Sequence, residues 1–232
     1  MQIRLFGALS VAAPVLLMAV GAAVPAQADI VIYNGGTPDQ GGQIYAQFPL
    51  QFVAMNFTLA PGSNIVTGAN WWGGCYPSVT CGSSPDFAIA IFPDASGVPD
   101  IFSPAMLLDA GSANQTATGN LIGPSSGTQW DEYAYSVTFP QVTLTAGLQY
   151  WFALYNQPLE PSGYFGVETT SSAPAGQLLL SSDGIAFTSL PETLAFQLTG
   201  PAASTPEPAS LALLGTAVAG LGFLLQRRRK RA

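Results

Sequence analysis

Between residues 29 and 200 the apolar positions fall in short runs rich in β-branched and aromatic residues, broken at close intervals by Gly, Pro, Ser, Thr and Asn. Strict alternation marks several of them. Tyr133, Tyr135, Val137 and Phe139 share one face while Ala134, Ser136 and Thr138 take the other, and Phe87, Ile89 and Ile91 point one way. A period of two is the signature of a half-buried strand. The pattern predicts strands over 30–33, 51–59, 65–72, 87–92, 106–110, 133–145, 150–155, 165–169, 178–181 and 193–199. Pro140 and Pro158 are expected to mark strand ends, because proline cannot donate to a ladder. Strands without a helical stretch between them predict an all-β domain, an antiparallel β-sandwich of jelly-roll-like type.

The two ends follow a different pattern. Arg4 precedes an apolar run from Leu5 to Val24, and Ala26-Gln27-Ala28 stands before Asp29. A basic residue, an apolar stretch and an Ala-x-Ala site predict a signal peptide over 1–28, with cleavage leaving Asp29 first. At the other end, a linker over 201–208 leads into a second apolar run over 209–225, followed by a basic tail over 226–232. As a helix that run spans roughly 25 Å, near the thickness of a bilayer core, with arginines at its edge to cover the deficit. Pro208 suits a helix start. The terminal cations place the tail in the cytoplasm and the domain outside. Export and membrane orientation therefore agree.

These tail residues carry a resemblance. Pro206-Glu207-Pro208, a Gly/Ala/Leu run containing Leu213-Leu214-Gly215 and Gly220-Leu221-Gly222, and a terminal arginine cluster resemble the PEP-CTERM sorting signal. Thr205 stands where many members carry Val. The resemblance implies a Gram-negative bacterium that makes extracellular polysaccharide and processing by an exosortase-type membrane enzyme. It implies an inner-membrane-anchored intermediate with its ectodomain in the periplasm, then a place at the cell surface or outside the cell. A second resemblance runs through Phe57-Thr58-Leu59, Trp71-Trp72-Gly73-Gly74, Asp86-Phe87, Phe92-Pro93-Asp94, Gly97-Val98-Pro99 and Thr145-Ala146-Gly147-Leu148-Gln149-Tyr150-Trp151. It is similar to a β-sandwich type common in secreted PEP-CTERM proteins, and implies a fold but no shared chemistry.

Composition then narrows the chemistry. Arg4 and the cluster Arg227–Arg231 hold every Lys and Arg, and the chain has no His. All thirteen acids except Glu207 lie in 29–200, so that stretch carries a formal charge of −12 with no cation. Nucleic acid is excluded as a partner, since phosphate binding depends on cations. Catalysis through His, a Lys Schiff base or a His metal site is excluded with it. A carboxylate pair remains, as in glycoside hydrolysis, and Asp131, Glu132, Glu160 and Glu168 are candidates by type.

Cys75 and Cys81, the two cysteines of an exported chain, predict a disulfide. Adjacent strand residues face opposite ways, so one of Trp71 and Trp72 belongs to the core. Trp72 is then a candidate ligand platform of the kind that stacks on sugar rings, with Trp130, beside Asp131 and Glu132, as a second; Trp151 reads as core. Asp94, Asp100 and Asp86 surround the Asp94-Ala95-Ser96-Gly97 loop, and offer weak, diffuse Ca²⁺ binding without a recognisable calcium loop. No cofactor is expected. The sequence thus predicts a non-enzymatic cell-surface or matrix protein associated with extracellular polysaccharide. The alternative is a carbohydrate-binding module or carboxylate-dependent glycosidase.

Overall fold

The computed structural model describes residues 29–39, 42–46, 51–76, 86–123, 128–156, 164–171, 176–182 and 185–202. Among them fourteen strands form and no helix: β1 (Asp29–Asn34), β2 (Gln43–Tyr45), β3 (Phe52–Thr58), β4 (Ile65–Tyr76), β5 (Asp86–Pro93), β6 (Met106–Ser112) and β7 (Asn114–Ile122) come first. They are followed by β8 (Trp130–Thr143), β9 (Gln149–Asn156), β10 (Tyr164–Thr170), β11 (Leu178–Ser181), β12 (Thr188–Leu190), β13 (Thr193–Leu194) and β14 (Phe196–Pro201). Every pairing is antiparallel. An eight-stranded sheet runs β1-β14-β4-β10-β13, with β2 on β10 and β7-β8 on β4. A six-stranded sheet runs β12-β11-β3-β9-β5-β6.

The alternation read from the sequence decides which side of each strand meets the core. Tyr135 and Phe139 are buried there, with Tyr133 and Val137 packed against it, and Phe87, Ile89 and Ile91 meet them from the other sheet. Aromatic rings join the two layers. Phe87 stands edge-on to Trp71 at 5.0 Å and to Phe165 at 4.9 Å, and Phe152 stacks on Phe196 at 4.6 Å, while within the eight-stranded sheet Trp71 and Tyr135 stack at 5.8 Å. Such pairs add about 0.5–1.5 kcal/mol each beyond the apolar area they bury.

Alternation fails on the six-stranded sheet, and the reason is a second core. Register aligns Ala54, Ala153 and Ala90 across β3, β9 and β5 on its outer face. Phe92, Trp151 and Leu179 cluster with them, with Phe52, Ile101 and Phe187 packed around the rim. β5 is therefore buried on both faces, which a continuous apolar run signals.

Pro140 does not end its strand as the sequence suggested. β8 continues to Thr143, and its pairing jumps from Thr138↔Gly68 to Val142↔Val66. Residues 139–141 thus face Thr67 alone, and the proline sits in this bulge, where no ladder donor is required. Pro158 lies outside the described residues.

The turns 59–64 and 144–148 each cross from one sheet to the other, and both lie at one end of the molecule. Leu144 N donates to Asn64 O at 2.8 Å and Gly147 N to Leu59 O at 3.1 Å. Tyr150 Oη, accepting from Thr145 N at 3.0 Å, fixes the second turn. The start of β1 and the end of β14 pair there as Asp29↔Pro201. The chain therefore enters and leaves the domain at the same end.

Candidate functional site

β4 divides the tryptophan pair as its pleat requires. Trp71 is wholly buried in the core, and Trp72 is half-buried on the outer face of the eight-stranded sheet. The two glycines that follow make room on opposite sides. A β-carbon on Gly73 would lie 2.5 Å from Phe165 Cζ and closer still to the Gly166 carbonyl. One on Gly74 would lie 2.8 Å from Asp131 O, 3.4 Å from Ile122 Cδ1 and 3.7 Å from Trp130 Cβ. Glycine inside a strand marks such close approaches.

The start of β8 thus passes close over Gly74 and brings Trp130 to the same face as Trp72. Gly74 is two residues beyond Trp72, about 7 Å along the strand. The β-carbons of the two tryptophans therefore lie within roughly 11 Å of each other. Both rings are half-buried.

Glu132 sits between them and the β7 edge. Pairing jumps from Ala117↔Tyr133 to Leu121↔Asp131, so Thr118, Gly119 and Asn120 bulge opposite Glu132 alone. Thr118 Oγ1 donates to Glu132 O at 3.1 Å, and Asn120 N to Thr118 Oγ1 at 3.2 Å. Asn120 Nδ2 donates to Glu132 Oε1 at 3.2 Å, while Oε2 has no hydrogen-bond partner. The residue is 1% exposed. A buried, unpaired carboxylate oxygen is costly, and residues 5–226 contain no cation to offset it.

Glu168 is also buried, and its alternation with Phe165 and Val167 puts it on this outer face. Gln43 lies over Gly166, and its Oε1 is a second buried acceptor without a donor. The sequence offered Glu132 and Glu168 by type; Gln43 and Asn120 went unnoticed. The bulge that presents Asn120 leaves only a Thr-Gly-Asn turn as its trace in the sequence. Glu160 lies outside the described residues, and Asp131 contributes its backbone carbonyl over Gly74.

The acids proposed around the Asp94 loop do not converge. Asp86 begins β5 and Asp94 follows its end. Asp94 is committed to the fold: Oδ1 accepts from Trp151 Nε1 at 2.8 Å and Gln149 Nε2 at 2.9 Å, and Oδ2 from Gly97 N at 3.1 Å. Ser96 and Gly97 take positive φ (59° and 91°), the geometry of a tight hairpin tip, closed by Ala95 N to Val98 O at 2.8 Å. Asp100 turns back to accept from Phe102 N at 3.3 Å. Among the described residues no three Asp, Glu, Cys or His side chains come together as a metal site.

Cys75 is buried near the end of β4, in register with Phe165, while Cys81 lies outside the described residues. The signal peptide 1–28, Pro206-Glu207-Pro208, the apolar run 209–225 and the basic tail also lie outside them.

Residues 204–230 match the PEP-CTERM protein-sorting motif. No curated protein and no solved structure matches the chain. The match covers the Pro-Glu-Pro triplet, the apolar run and all but the last two residues of the basic tail, in the order the sorting signal requires. Beyond its β-domain the chain thus carries the PEP-CTERM protein-sorting motif, which implies exosortase-dependent sorting of an exported protein.

Proposed function

We propose that this is a non-enzymatic cell-surface or matrix protein whose jelly-roll-like β-sandwich contacts extracellular polysaccharide through the outer face bearing Trp72 and Trp130. The signal peptide 1–28 exports it, the run 209–225 holds it in the inner membrane with its domain in the periplasm, and sorting moves it outward. Cys75 and Cys81 pair once it reaches an oxidising compartment. No cofactor takes part, and calcium binds only weakly and diffusely to the loop acids.

The observation that carries the reading is the juxtaposition of two half-buried tryptophans on one outer face. Aromatic faces pack on the apolar sides of sugar rings, which suits this pair to a carbohydrate chain. A polyanionic domain repels acidic polymers unless they stack or divalent cations bridge them, which favours neutral stretches of polysaccharide. Hydrolysis is the weaker reading, because Glu132 and Glu168 are both shut off from solvent where a glycosidase would need them open to its substrate.

Co-sedimentation with the host's own extracellular polysaccharide tests this. Trp72→Ala and Trp130→Ala should each weaken retention about tenfold or more, on the scale of ~1–3 kcal/mol for a lost stacking contact. Retention unchanged in both variants would discard the face as the binding site. Release of reducing sugar by the unmodified protein would replace binding with hydrolysis.

A further inference from the structure

Most of the exposed large apolar side chains among the described residues lie at the end of the domain where the chain leaves. Phe102 is 87% exposed on the loop after β5, and Leu148 is 55% exposed on the turn before β9. Val98 tips the neighbouring hairpin, and Ile30 and Val31 lie on β1, opposite the last residues of β14. These segments share one end because β3, β5, β8 and β14 all finish there and β1, β4, β6 and β9 all start there.

This end is preorganised. Asp94 and Asp100 hold the Val98 and Phe102 loops by side-chain hydrogen bonds, and Asp29 accepts from Thr67 Oγ1 at 2.7 Å. Exposed apolar tips on a braced loop suit a surface that is itself apolar.

Chain length limits what that surface can be. Ala202 is the last described residue, and the apolar run of the sorting tail begins at Ala209. Seven residues reach at most about 25 Å even fully extended. While the tail is in the bilayer, this end stays within that distance of it. The opposite end stands farther away by the length of the twelve-residue β4, roughly 40 Å.

We propose that this end of the domain rests on the bilayer, with Phe102, Leu148 and Val98 dipping into the interface while the tail remains anchored. The inference relies on the membrane-held tail of the proposed function. It goes further in giving the domain a fixed orientation, with the Trp72–Trp130 face turned sideways and free. Attraction is apolar: the domain has no cation to offer anionic headgroups, so zwitterionic lipid is the partner and anionic lipid weakens the contact.

The test uses the full chain in vesicles of zwitterionic phospholipid with brominated acyl chains. Phe102→Trp places a reporter at the proposed contact, and Ile185→Trp places one at the far end, where Ile185 is 73% exposed. Both positions are open, so neither change disturbs packing. With the emission of the unsubstituted protein subtracted, Phe102→Trp should be quenched about twofold, as expected for a ring at interfacial depth, and Ile185→Trp should be unaffected. Equal quenching at both sites, or none at either in chains that float with the vesicles, overturns the orientation while leaving the anchor intact. Chains that fail to float overturn both.

Discussion

The carboxylate of Asp94 accepts three hydrogen bonds, one from the fully buried indole of Trp151. Asp94→Ala would strand that N–H and the amide of Gly97, and a buried polar group left without its partner costs about 1–3 kcal/mol. The urea midpoint should fall accordingly, and Asp94→Asn, which keeps an acceptor for Trp151, should recover most of the loss; an unchanged midpoint in the alanine variant would contradict this role. Tyr33 offers a titration. Its ring packs 5.4 Å from Phe57 and 5.3 Å from Phe196, and burial pushes its pKa from 10.0 up to about 12. The folded state favours the neutral phenol, so its contribution is complete below pH 10 and declines between pH 10 and about 12, where the unfolded chain ionises first. Tyr33→Phe should flatten that alkaline loss of stability; an identical decline in both proteins would place the cause elsewhere. Tyr135, pushed up by burial and then by Tyr133, adds to the alkaline decline in both.

β4 explains why Trp-Trp-Gly-Gly is more than a strand with a turn after it. The sequence predicted its end at Trp72, since two glycines read as punctuation; the strand instead runs to Tyr76, because Gly73 admits the Phe165 ring and Gly74 admits the backbone of β8. Gly74→Val should lever the start of β8 away, costing about 1–3 kcal/mol as overpacking does. It should also weaken polysaccharide retention by moving Trp130; normal retention at reduced stability would separate the two roles. All ten predicted strands have counterparts, with the run 193–199 split at Ala195 into β13 and β14, because alternation and β-branched composition report the pleat directly. The sequence missed Gln43–Tyr45, Asn114–Ile122 and Thr188–Leu190, which are short or largely polar. β7 is exposed along most of its length, so it has no buried face to impose a period. Trp72 and Trp130 were legible as candidates one at a time. Their proximity was not, since it depends on where β8 passes over Gly74.

Across the whole molecule, charge and topology assign separate tasks to separate parts. The cations are confined to the two ends, leaving a domain that carries only acids and cannot bind polyanions by charge alone. Strand order brings the entry and exit of that domain to one end, so a single tail can hold it and a single cut can release it. The tail that matches the sorting motif makes the strongest claim: that the chain is exported, held and then processed. Intact-mass analysis of the protein from its native host, separated into membrane and extracellular fractions, tests this most directly. The account predicts an extracellular species that begins at Asp29 and ends near Pro206. A protein found only in the membrane fraction, with a mass still extending to Ala232, would contradict sorting and leave a plain membrane-anchored domain.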